Sequence, residues 1–175
     1  MFYKRLVMNQ SFYLHSIGFL DILNGLAVEW RVMMSKFFTY EERLSVQKYL
    51  KESQSFKEIS RRLGKNPTTI SREVQKYLSA VATGYPGYPY NACKNRYNCR
   101  KKGLCSKECT KPSAAYCKLC QRCNDNCSEF IEEICTARFR VPYVCNGCEK
   151  IGKCTLLKNF YDAEHAHVKA YETLS

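Results

Sequence analysis

Twelve cysteines lie between Cys93 and Cys154, and none precedes them. A block this dense is either a disulfide framework or a set of metal sites, and the compartment decides between the two. The thiols are Cys93, Cys99, Cys105, Cys109, Cys117, Cys120, Cys123, Cys127, Cys135, Cys145, Cys148 and Cys154. Three C-x-x-C steps (117–120, 120–123 and 145–148) and two C-x-x-x-C steps (105–109 and 123–127) each place two thiolates on one tight turn, as tetrahedral zinc requires. Asn146 and Gly147 in CNGC suit such a turn. All twelve are therefore candidate ligands, enough for up to three four-cysteine zinc sites. No histidine falls inside the block, so a closed site there is all-sulfur. Spacing does not say which four share an ion, and one or more thiols could be free. An iron–sulfur cluster uses the same ligands, and six disulfides need an oxidising compartment. Apolar residues such as Leu104, Phe130, Ile134, Val144 and Ile151 are too few here for a core of their own. Metal binding would then supply much of the folding free energy.

Ahead of the cysteines, three helices are legible from their caps. Thr39 with Glu42, and Ser55 with Glu58, each form a capping-box pattern in which the hydroxyl accepts a free backbone N–H and the carboxylate reaches back. The first helix runs through EERLSVQKYLKE and the second through FKEISRRL to Gly64, which can end a helix in the left-handed conformation. Asn66 caps the third, with Pro67 at its first position, where the missing N–H costs little. Leu44, Leu50, Phe56, Ile59, Leu63, Ile70 and Val74 supply the apolar faces. The tight turn Gly64-Lys65-Asn66 is the one expected between the positioning and recognition helices of a helix-turn-helix. Pro67, Thr68, Thr69 and Ser71 let the third helix approach a major groove closely. Arg72 can bond guanine in bidentate fashion, with Gln75 and Lys76 a turn further on. Arg61, Arg62 and Lys65 flank the turn and are expected to meet phosphates.

The remaining segments carry weaker signals. Residues 1–34 are apolar but interrupted by His15, Asp21, Asn24 and Glu29, so no run is long enough to span a membrane. They are read either as an extension upstream of a start at Met33 or Met34, or as an amphipathic helix packed on the next domain. Residues 79–92, with Gly84, Pro86, Gly87 and Pro89, read as a linker. Residues 155–175 return to helical spacing through Leu156, Phe160, Ala163, His167 and Ala170. The fold class expected is mainly α: a three-helix domain over 35–78, a metal-stabilised cysteine-rich module over 93–154 and a C-terminal helix. A net charge of +12 favours polyanionic partners. The partner expected is double-stranded DNA, with no membrane and no small-molecule substrate, and self-association is left open. The basic stretch Lys94, Arg96, Arg100, Lys101 and Lys102 around Tyr97 either extends the DNA footprint or is a solvated face.

The stretch FTYEERLSVQKYLKESQSFKEISRRLGKNPTTISREV resembles the N-terminal helix-turn-helix of IS-thirty-type bacterial insertion-sequence transposases. An EER-L opening at Glu41–Leu44, an F-x-E-I-x-R-x-L-G middle at Phe56–Gly64 and a T-T-I-S-R-E close at Thr68–Glu73 carry the likeness. NACKNRYNC, CxxCxxC and PYVCNGC are similar to the cysteine-rich insert of one branch of that family. The resemblance implies recognition of terminal inverted repeats by this region, in the bacterial cytoplasm on the nucleoid. It implies that strand transfer belongs to an RNase H-like domain with three carboxylates, which would begin where this sequence stops. Asp162, Glu164 and Glu172 cannot replace those carboxylates, so the chain is read as a DNA-binding region without catalysis. A stand-alone zinc-dependent transcriptional regulator is the alternative.

Overall fold

The computed structural model describes residues 37–105, 109, 111 and 115–173. The expectations for residues 1–34 lie outside them. Helix α1 is Tyr40–Lys51, α2 is Phe56–Leu63 and α3 is Pro67–Lys76. Each begins at the residue whose side chain can take up a free N–H. Thr39 Oγ1 accepts from the Glu42 N–H at 3.2 Å, and Glu42 Oε2 accepts from the Thr39 N–H at 2.9 Å. Ser55 Oγ accepts from the Glu58 N–H at 3.2 Å, and Asn66 Oδ1 from the Thr68 N–H at 2.9 Å. Gly64 ends α2 at φ 63°, a conformation that a residue with a Cβ adopts only with strain.

Two of the expected boundaries move. The third helix stops at Lys76, and Leu78–Val81 leave it as a strand, β1. The helical spacing read from residue 155 onward is realised only from Ala163, because Lys158–Tyr161 form strand β2. The two strands are antiparallel, with Leu78 opposite Tyr161 and Val81 opposite Lys158. A single-sequence pattern cannot reveal pairing across about eighty residues, and here the ladder overrides the local helical period. Asp162 then caps the last helix, accepting from the His165 N–H at 2.9 Å. The linker expected over 79–92 keeps an exposed turn at Pro86 and Gly87, but residues 79–81 belong to β1 and its far end is built in. Asn91 donates its N–H to the Thr155 carbonyl at 2.9 Å, and Asn91, Ala92 and Cys93 are buried.

From Thr39 onward the chain forms one compact unit, so the three-helix region and the cysteine-rich segment are not separate bodies. Among the described residues the remaining α-helices are a single turn, α4 (Cys123–Asn126), and the C-terminal α5 (Ala163–Glu172), beside three short 3-10 turns at Cys117–Leu119, Thr136–Phe139 and Ile151–Lys153. The core joins Val46, Leu50, Ile59, Ile70 and Val74 of the first three helices to Leu156, Tyr161, Ala163 and Ala166. Leu44 does not take the core position expected of it and is 45% exposed. Helix phase explains this: with the cap at Thr39, residues 43, 46 and 50 face inward, and Leu44 points away.

Arg43 therefore enters the interior. Its Nε donates to Glu73 Oε1 at 2.7 Å, with both side chains almost fully covered. Tyr161 donates its hydroxyl to the same carboxylate oxygen at 3.1 Å, and the Arg43 guanidinium reaches His167 Nδ1 at 3.3 Å. Helices α1 and α3 are thus tied to β2 and α5 through one charged centre. Burial, and then the Glu73 carboxylate, push the Tyr161 phenol well above its ordinary pKa, so it remains a donor. Glu73→Ala leaves Arg43 covered without its carboxylate and is expected to cost about 3–5 kcal/mol in urea unfolding. Tyr161→Phe, which removes one bond to that carboxylate, is expected to cost about 1.5–3 kcal/mol.

Candidate nucleic-acid interface and thiol clusters

Helix α3 turns Ile70, Glu73 and Val74 inward and presents its other face to solvent. Pro67, Thr68, Arg72, Gln75 and Lys76 are exposed, and Thr69 and Ser71 are half-buried at the edge. Several of these side chains are already ordered. Thr68 Oγ1 donates to Asn66 Oδ1 at 2.7 Å, and Gln75 Nε2 donates to Ser71 Oγ at 2.9 Å. Lys76 Nζ lies 4.9 Å from the centre of the Tyr77 ring. Arg72 has no hydrogen-bond or ion-pair partner among the described residues. A straight helix with a long cation at mid-face, small hydroxyls at its N-terminal end and an amide beyond offers the donor and acceptor set that reads base edges.

The three flanking cations divide. Arg61 and Arg62 share Glu58, at 2.7 and 3.2 Å, on the outer surface of α2. Their hydrogen bonds, that of Arg61 foremost, hold the Glu58 carboxyl below its usual pKa. Surface pairs of this kind are weak, so both guanidinium groups can exchange the carboxylate for a phosphate. Arg62 also stacks over Tyr49 at 5.1 Å. Lys65 departs from the expectation. Its side chain is only 7% exposed and its Nζ pairs with Glu42 Oε1 at 3.0 Å. It pins the α2–α3 turn to the first turn of α1 and does not stand on the open surface.

The thiols gather in groups. In each of the C-x-x-C steps the second cysteine N–H donates to the first carbonyl: Cys120 to Cys117 at 2.9 Å, Cys123 to Cys120 at 3.1 Å and Cys148 to Cys145 at 3.2 Å. Cys93, Cys99, Cys117, Cys123 and Cys127 line one cavity of about 20 Å³ together with Asn91 and Arg96. Asn91 Nδ2 donates to Cys123 Sγ at 3.2 Å, and the Leu104 N–H points at Cys117 Sγ at 3.5 Å. Burial, and then the four neighbouring thiols, push the Cys123 thiol up to about 12. Cys135, Cys145, Cys148 and Cys154 line a second, open groove, and burial raises the Cys145 thiol. Cys105, Cys109 and Cys120 line neither. Among the described residues no three Cys, His, Asp or Glu side chains stand close enough, as placed, to hold one metal ion. No described helix is long and apolar enough to cross a membrane.

Residues 36–76 match the family described as "Helix-turn-helix domain". The chain carries a helix-turn-helix, a fold that binds double-stranded DNA through its second helix of the pair, here α3. No curated protein and no solved structure matches the chain.

The matched span ends just before β1, so the strands, the thiol groups and α5 are outside it. They nonetheless support the helix-turn-helix. Gly147, in the CNGC turn, accepts from Ser53 Oγ at 2.8 Å at the end of α1. A Cβ on Gly147 would stand 2.5 Å from the Leu50 carbonyl oxygen, so only glycine allows this approach. Asn146 brackets Tyr161, donating to its carbonyl at 2.8 Å and accepting its N–H at 2.9 Å. Sequence reading missed Arg43, Glu73, Ser53 and Tyr161, whose roles depend on partners remote in the chain. Lys65→Ala is expected to lower stability by up to about 3 kcal/mol while leaving the salt dependence of DNA binding unchanged. Arg61→Ala is expected to do the reverse. Thermal unfolding and binding titrations over a salt series check the pair.

Proposed function

We propose that this chain recognises a specific duplex DNA sequence, and that its target is the terminal inverted repeat of an insertion sequence. The observation that carries the reading is the outer face of α3, where Arg72 stands exposed and unpartnered between Thr68 and Gln75. The motif likeness to IS-thirty-type transposases, spread over all three helices, selects the target. In this reading the N-terminal half of α3 enters the major groove. Arg72 bonds guanine O6 and N7, and the Thr68 and Thr69 methyls meet thymine methyls. Arg61 and Arg62 leave Glu58 for phosphates and set the register. Affinity falls steeply with salt because each phosphate neutralised releases counterions. The reading assigns binding alone, and no strand cleavage, to these residues.

The cysteine-rich segment is, in the same reading, held by zinc thiolates. Cys135, Cys145, Cys148 and Cys154 share one groove, and the CNGC turn is of the kind that offers two sulfurs to one ion. Bound zinc would offset the negative charge of the thiolates that hold it. The thiol side chains would have to move from their present placement to close the set around an ion.

Selection from a random duplex library, followed by titration of the selected site, tests the DNA reading. Arg72→Ala is expected to relax preference at one or two positions, by about 1–3 kcal/mol per base pair, whereas Arg61→Ala and Arg62→Ala weaken binding to every sequence alike. Equal behaviour of all three sinks the placement of α3 in the groove. Selected sites that match promoters and not element ends would favour a regulator. Native mass spectrometry checks the metal: the mass excess of one or more zinc ions is expected, and a metal-free chain with six disulfides overturns that part.

A further inference from the structure

We infer that the cysteine-rich segment carries a second DNA-contacting surface, centred on Arg100 and Lys102, that grips the phosphate backbone beside the site read by α3. The inference rests on the DNA-binding reading above. Between Cys93 and Cys123 there are nine Lys and Arg residues and a single acidic one, Glu108. That stretch holds most of the chain's positive excess, and it lies outside the matched helix-turn-helix.

The fold uses part of this charge internally. Arg96 pairs with Glu133 and Lys101 with Glu129. Lys118 Nζ donates to the Tyr97 carbonyl at 2.8 Å. Arg100 and Lys102 differ. Both are exposed, and neither has a carboxylate or carbonyl partner among the described residues. Lys102 and Lys118 each lie 5.4 Å from the Tyr116 ring centre, and the Lys101 carbonyl accepts the Cys117 N–H at 2.9 Å. Residues 100–102 and 116–118 are therefore laid side by side. Tyr97 continues the surface, 56% exposed, with the Arg96 guanidinium 4.5 Å from its ring centre.

Cations that outnumber the carboxylates on one surface, here Glu129 and Glu133, leave a net positive field that concentrates a polyanion there. Aromatic rings held beneath and between them fit sugar–phosphate and base surfaces better than a merely solvated face requires. The surface and the helix-turn-helix belong to one compact unit, and the polyanion inferred for both is one duplex, long enough to reach from α3 to Arg100 and Lys102. Such contacts lengthen the footprint and fix orientation, and they carry no sequence information. The competing role for these cations is to offset the negative charge of thiolates nearby.

The test is titration of the selected duplex from about 50 to 200 mM salt, comparing the full chain with the Arg100→Gln/Lys102→Gln double variant. Each lost phosphate contact lowers the slope of log affinity against log salt by about 0.9, so a fall of nearly two is expected, with sequence preference unchanged. The charge-keeping Arg100→Lys/Lys102→Arg variant is expected to retain the slope. Should the double variant lose its fold by circular dichroism, Arg100→Gln alone is expected to lower the slope by about 0.9. An unchanged slope overturns the inference, and a fall in bound zinc alongside it assigns the cations to the thiolates instead. A wild-type chain that binds no duplex overturns both readings. A wild type that binds duplex, with variants that keep its slope, overturns this one alone.

Discussion

Arg43 and Glu73 bring opposite charges into a part of the molecule that water barely reaches, and neither is tolerable there alone. The pair joins the first helix to the reading helix. It is completed from far along the chain, by the Tyr161 hydroxyl on the carboxylate and His167 beside the guanidinium. Two hydrophobic residues of similar volume could be as stable in their place. The ion pair, however, accepts only partners with the right polarity at the right position. Through these contacts β2 and α5 are seated against the first and third helices.

The cysteine-rich segment follows from that closure. It is the excursion between β1 and β2, so its ends are set by the strand pairing, and its CNGC turn returns to touch the end of α1 at Ser53 and Leu50. A helix-turn-helix of about forty residues has little core of its own, since small domains bury a low fraction of their surface. Here Leu156, Tyr161, Ala163 and Ala166 supply what the three helices lack. Nine of its thiols line two shared spaces, and Arg100 and Lys102 lie exposed on its surface.

Local signals were legible and remote ones were not. Thr39, Ser55, Gly64, Asn66 and Pro67 act on neighbours within four residues, so the sequence placed the starts of all three helices and the face that α3 shows to solvent. Lys65 looked like a phosphate contact because a lysine beside a turn is normally solvated. Its burial depends on Glu42, twenty-three residues earlier and one helix away. Leu44 looked like core because it is apolar, yet the cap that starts α1 turns Arg43 inward in its place. Lys158–Tyr161 read as helix because pairing with Leu78–Val81 leaves no trace in local periodicity. The three C-x-x-C steps announced tight turns correctly, but the grouping of thiols from distant steps required the fold.

Amide hydrogen exchange on the full chain tests most directly whether the reading helix and the C-terminal segment form one cooperative unit. The account predicts that amides of Val74 and Tyr77 in or just beyond α3, Tyr161 in β2 and Ala166 in α5 open together, with the same free energy and the same dependence on denaturant. Rapid exchange at Tyr161 and Ala166 while α3 stays protected would show that the three helices stand without the C-terminal segment, and would contradict it.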